Sequence, residues 1–153
     1  MLRKGFFQRL TTIWFGLIMG QVVFLAVVFF LNNQQDSSFV RPELVGVMDY
    51  IAIAFSLGTL GMSQFIPQQL LKVETKDTLD NKLQKYQTSV ILRGALIEGG
   101  NLFCIVAYLL TQNSLLLGSF AALISIMILS RPTLAQMETS IPLSEDEKAQ
   151  LQS

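Results

Sequence analysis

The chain has 153 residues, 51% of them apolar and only 14% charged, with a mean hydropathy of +0.48; soluble domains carry roughly 25% charged residues, so an ordinary soluble globule does not fit. Eleven basic and eleven acidic side chains cancel, which removes the positive field of a nucleic-acid binder. With no histidine and a single cysteine, Cys104, the chain has no imidazole metal or haem ligand, no imidazole triad and no internal disulfide, and it reads as non-enzymatic, without metal or cofactor.

A hydrocarbon layer about 30 Å thick takes roughly 20 apolar residues of helix rising 1.5 Å each. Four stretches qualify: Leu10 to Leu31, Leu44 to Ile66, Ser89 to Leu110 and the shorter Leu115 to Ser130. The polar segment Asn32 to Ser38 ends the first, Pro67 the second, Thr111 to Ser114 the third, and Arg131 with Pro132 the fourth. Arg3, Lys4 and Arg9 precede the first stretch as in a secretory signal, but its apolar run is too long and lacks small residues at its end, so it reads as a retained anchor.

Basic residues set the orientation. Arg3, Lys4, Arg9, Lys72, Lys76, Lys82, Lys85, Arg93, Arg131 and Lys148 fall at or beyond one face, and Arg41 alone falls on the other. The positive-inside rule then puts both termini and the middle loop in the cytoplasm. The expected fold is all-α: a single membrane-embedded four-helix bundle of two helical hairpins, with a cytoplasmic loop over 67–88 and a cytoplasmic tail over 131–153. Such a chain belongs in membrane lipid, with a bacterial inner membrane as the expected location. Trp14, Tyr50, Tyr86 and Tyr108 fall near span ends, where interfacial aromatics are expected.

Within the middle loop, Leu79, Leu83 and Tyr86 keep helical spacing and Lys76 stands four residues before Asp80. This predicts an amphipathic helix leading into the third span, packed on its own bundle, on headgroups or on a partner. Beyond Pro142, Ser144 and Glu147 match a capping box, predicting a short helix near Glu145 to Leu151. Small residues four apart permit close helix approach in lipid. Gly16 with Gly20, Gly46 with Ala54 and Gly58, Ala95 with Gly99, and Ser114 with Gly118 and Ala122 supply such rows, and Gly94 is a further packing glycine. They serve either a compact bundle or, for Gly16 and Gly20 above all, an oligomer contact.

One residue stands out chemically. Glu98 lies nine residues into the third span, near mid-membrane, where a charged carboxylate costs at least about 2.5 kcal/mol. Gly94 and Asn101 share its helical face, while Arg93 is about 140° away and is expected to extend towards headgroups. Gln21 and Ser56 lie at similar depth in other spans. Glu98, Asn101, Gln21 and Ser56 therefore form a candidate ion-binding set, against the plainer reading of Glu98 as a hydrogen-bonding clasp between helices. Two functions remain open: a structural or accessory subunit of an oligomer or larger membrane complex, or a proton- or cation-translocating small transporter.

The run Ile91-Leu92-Arg93-Gly94-Ala95-Leu96-Ile97-Glu98, continuing to Leu110, resembles the carboxylate-bearing outer helix of the c-type proteolipids of rotary ATPases. The preceding Ser56-Leu57-Gly58-Thr59-Leu60-Gly61 resembles their glycine-rich inner helix. The resemblance implies that Glu98 is an ion-binding carboxylate. It covers about a third of the chain, with a longer loop and a sparser glycine repeat than that family has.

Overall fold

The computed structural model describes residues 5–33, 39–72 and 77–152, with side chains described to residue 148. Among them there are helices and no strands: α1 (Phe6–Asn32), a 3-10 turn (Pro42–Leu44), α2 (Val47–Leu70), α3 (Leu79–Thr111), α4 (Ser114–Leu129), α5 (Leu134–Ser140) and α6 (Glu145–Gln152). Three of these, α1 to α3, are long and apolar enough to cross a membrane; α4 and α5, bent by 83° at their junction, make a fourth if the pair counts as one span. Arg3, Lys4, Lys76 and most of the segment after Asn32 lie outside the described residues, as does the spacing of Lys76 with Asp80.

The helices do not pair off as two successive hairpins. α3 is the hub: α1, α2 and α4 all pack against it, whereas α1 and α2, neighbours in sequence, hardly touch. The reason lies in the length and surface of α3. Its 33 residues extend about 50 Å, and its two close-approach glycines face different partners. A Cβ at Gly94 would stand 2.9 Å from the Trp14 ring of α1, and one at Gly100 would stand 3.4 Å from the Ser56 Cα of α2. Side chains there would hold the helices apart.

Each end of α3 has a local cause. Thr78 caps the start, its hydroxyl accepting from the Asn81 amide at 3.4 Å. Gln112 ends it in the left-handed region at φ 54°, and Asn113 starts α4 by accepting from the Leu115 amide at 3.0 Å. Pro67 does not end α2 as its residue type predicts. It sits buried within a helix that runs on to Leu70, its carbonyl accepting from the Leu71 amide and from the Ser89 hydroxyl of α3. Proline forfeits only its own donor and crowds the preceding turn; packing against α3 offsets that cost.

At one end of the bundle, Phe6 and Leu10 of α1 meet Leu79, Leu83 and Tyr86 of α3 and Met137 and Ile141 of the tail. The start of α1, the start of α3 and the tail therefore share one end. The amphipathic stripe of the middle segment is packed on its own bundle. Trp14 and Tyr86, expected at an interface, are both 3% exposed. Trp14 Nε1 finds its acceptor inside the bundle, donating to the Met127 carbonyl at 3.0 Å. Tyr50 is fully turned outward, and Tyr108 stacks edge-on to Phe29 with centroids 5.6 Å apart.

Most of the small-residue rows face away from this packing. Gly16, Gly20, Gly58 and Gly118 are exposed and have no heavy atom within 4 Å of an added Cβ, and the same open space surrounds Gly99. Ala95 and Ala122 are exposed as well. Only Gly94 of the expected packing set holds two helices of the bundle together, and Gly100, not in that set, is the second. The spacing was right for close approach, but spacing alone does not say which side of a helix its neighbour occupies.

Candidate functional site

Polar side chains fall at three levels along the bundle. At the end formed by the α3–α4 turn, Asp49 is 7% exposed and its carboxylate accepts from three donors: the Gly46 amide at 3.1 Å, the Thr111 hydroxyl at 3.2 Å and the Asn113 amide at 2.6 Å. It both caps α2 and fastens α2 to the α3–α4 turn. The Arg41 amide donates to the Leu110 carbonyl nearby.

At the middle level the four candidate ion-site residues separate into three environments. Gln21 and Asn101 are fully buried and bonded to each other, Asn101 Nδ2 donating to Gln21 Oε1 at 2.6 Å. Gln21 Nε2 continues to the Met127 sulfur at 3.4 Å, so the chain of contacts joins α1, α3 and α4. Ser56 belongs to the other side of α3, 3.0 Å from the Cys104 sulfur and donating to the Gly100 carbonyl at 3.4 Å. Thr59 stays within its own helix, donating to the Ser56 carbonyl at 3.0 Å. Glu98 joins neither group. It is half-buried, at the edge of the packed arc of α3, and makes no hydrogen bond or ion pair with any described residue. The expected convergence of Glu98 with Asn101, Gln21 and Ser56 does not occur. Asn101 is about 60° round the helix from Glu98, and that rotation takes it under α1 while leaving the carboxyl outside.

No described group of three or more His, Cys, Asp or Glu residues is placed to hold a metal ion.

The third level lies between the middle and the tail-bearing end. Here Arg93 is half-buried and its Nη2 donates to Gln64 Oε1 of α2 at 2.5 Å. It turns towards α2 instead of extending along the bundle surface. Beside it lies a cavity of about 220 Å³, bordered by Trp14, Ser63, Gln68, Ser89 and residues of the tail. Sequence reasoning treated Arg93 only as an anchor, because its partner Gln64 is 29 residues away on another helix.

Beyond this level the tail is fixed by an ion pair. Lys82, 3% exposed, donates to both Glu147 carboxylate oxygens at 2.9 and 3.0 Å and to the Pro142 carbonyl at 2.9 Å. All three ammonium donors are thus used. The capping box closes alongside, Ser144 N donating to Glu147 Oε2 at 2.8 Å and Glu147 N to the Ser144 hydroxyl at 3.3 Å. Burial tends to raise the Glu147 carboxyl, but the bonds from Ser144 and Lys82 outweigh it and hold the group below the ordinary glutamate range.

No family model matches this chain, and no curated protein or solved structure is significantly similar to it.

Proposed function

We propose that this chain is a non-enzymatic integral membrane subunit with both termini cytoplasmic, acting as a structural or accessory member of an oligomer or larger membrane complex. The observation that carries the reading is Glu98: an acidic side chain mid-way along an apolar helix, half-exposed, with no partner among the described residues. In lipid such a group is costly and ordinarily faces protein or water. A neighbouring subunit laid over this edge of α3 would supply the missing donor. Ala95 and Gly99 lie next to Glu98 and leave the backbone open, and small residues are what close helix contact in a bilayer requires. The outward Gly16 and Gly20 of α1 offer a second such contact.

A second reading, proton or cation exchange at Glu98, is favoured by the same lack of a partner. It needs further ligands: Gln21 and Ser56 are engaged elsewhere, and Asn101 is bonded to Gln21 through Nδ2, its buried Oδ1 having no partner among the described residues.

Photo-cross-linking from position 95 in native membranes tests the proposal. The expected result is a discrete adduct with a second copy or another membrane protein, lost in Glu98→Leu. Uniform labelling of lipid, unchanged in that variant, would contradict it.

A further inference from the structure

The cavity beside Arg93 has the chemistry of an anion site. Arginine stays charged at any physiological pH and carries five N–H donors. Here one donor is taken by the neutral amide oxygen of Gln64, and the Nε–H is buried without a partner among the described residues. None of the ion pairs among the described residues includes Arg93. The cavity wall contains no Asp or Glu to balance the charge. It does present free donors: the side-chain amides of Gln68 and Gln136 and the Ser130 hydroxyl form no side-chain bond among the described residues. These come from α2, α5 and the end of α4, so three segments border the same cavity as Arg93. A half-buried cation with no counter-charge beside it leaves its charge unbalanced, and a guanidinium with unused N–H groups matches an oxyanion held by parallel hydrogen bonds.

We propose that this cavity binds a phosphate oxyanion, with Arg93 as the charged ligand and Gln68, Gln136 and Ser130 as hydrogen-bond donors. A phospholipid headgroup and a free phosphate share this chemistry. The lipid source rests on the membrane reading of the chain; the free-phosphate source does not. It is independent of Glu98, which is absent from the cavity wall.

Trp14, the only tryptophan, borders the cavity and reports on it directly. The full chain in neutral maltoside micelles is titrated with inorganic phosphate, with sodium chloride of equal ionic strength as blank, and separately with short-chain phosphatidic acid. A saturable change in Trp14 emission with phosphate supports a free-anion site; a change with the lipid alone supports the headgroup. In either case Arg93→Gln raises the apparent Kd by roughly tenfold to a hundredfold, the range for a hydrogen bond to a charged group. Arg93→Lys recovers part of the binding, and Glu98→Gln leaves it unchanged. Because Arg93→Gln also loses its Gln64 contact, Gln136→Ala is measured alongside, with helicity checked by circular dichroism, and weakens binding severalfold without loss of fold. No emission change with either ligand, or equal titrations for the wild type and Arg93→Gln, overturns the proposal.

Discussion

Asn101 and Glu98 stand three residues apart on the same helix and have similar polar reach, yet their surroundings are opposite. Asn101 is fully buried and bonded to Gln21; Glu98 lies at the edge of the packed arc with no side-chain bond among the described residues. The contrast repeats one step along the chain, where Gly100 is pressed against Thr59 and Ser56 while Gly99 faces open space. One side of α3 is packed against α1 and α2, and the other is left open by the described residues. In a bilayer, where lipid offers apolar side chains the same environment as protein does, polar pairs and close backbone contacts are what distinguish the two sides.

Paired substitutions sharpen that comparison. Asn101→Leu strands Gln21 Oε1 and crowds the α1–α3 contact, so it should lower stability by about 2–4 kcal/mol. Glu98→Leu in the dispersed chain should stay within about 0.5 kcal/mol of the wild type. Unfolding in mixed micelles measures both, and equal losses would break the distinction. Gly100→Ala comes next, at about 1–3 kcal/mol, because the neighbour it meets includes α2 backbone. Gly99→Ala should instead gain up to about 1 kcal/mol from helix propensity in the same assay.

A smaller effect concerns the tail. Lys82→Met leaves Glu147 without its cation and should free residues 141–152 to limited proteolysis while the bundle stays intact. The same contact gives a pH dependence with a definite sign. Glu147 is held below its ordinary value, so its contribution is fully present above the unfolded glutamate pKa of about 4.3 and fades as pH falls through the lower folded value. Hydrogen exchange in α6, corrected for the intrinsic rate, should therefore rise in acid below about pH 4 and stay flat from pH 5 to 7.

How far these features could be read from the sequence depended on whether the information was local. The Leu79, Leu83 and Tyr86 stripe was legible because helical spacing alone puts three apolar groups on one face, and the Ser144 and Glu147 capping box because both partners lie within one turn. Helix existence followed from the long apolar runs. That the Trp14 N–H would find a buried carbonyl, that of Met127, was not legible, because position near a span end does not say whether an indole faces outward or a neighbouring helix. The central place of α3, the Arg93–Gln64 contact and the Lys82–Glu147 latch join residues 29 and 65 apart on different elements, and no local pattern specifies them. Glu98 shows the limit most clearly. Its depth was evident from counting, but whether it faced Gln21 or the outside turned on about 60° of rotation, fixed only once α1 had been placed.

The reactivity of Glu98 towards a membrane-permeant carbodiimide, compared between native membranes and the detergent-dispersed chain, tests the central claim most directly. If another subunit covers this edge of α3, labelling is slow in the membrane, indifferent to sodium, and accelerates when the assembly is dispersed. Equal labelling in both states, or protection by added cations in the membrane, would contradict the subunit reading, and cation protection would favour an ion site instead.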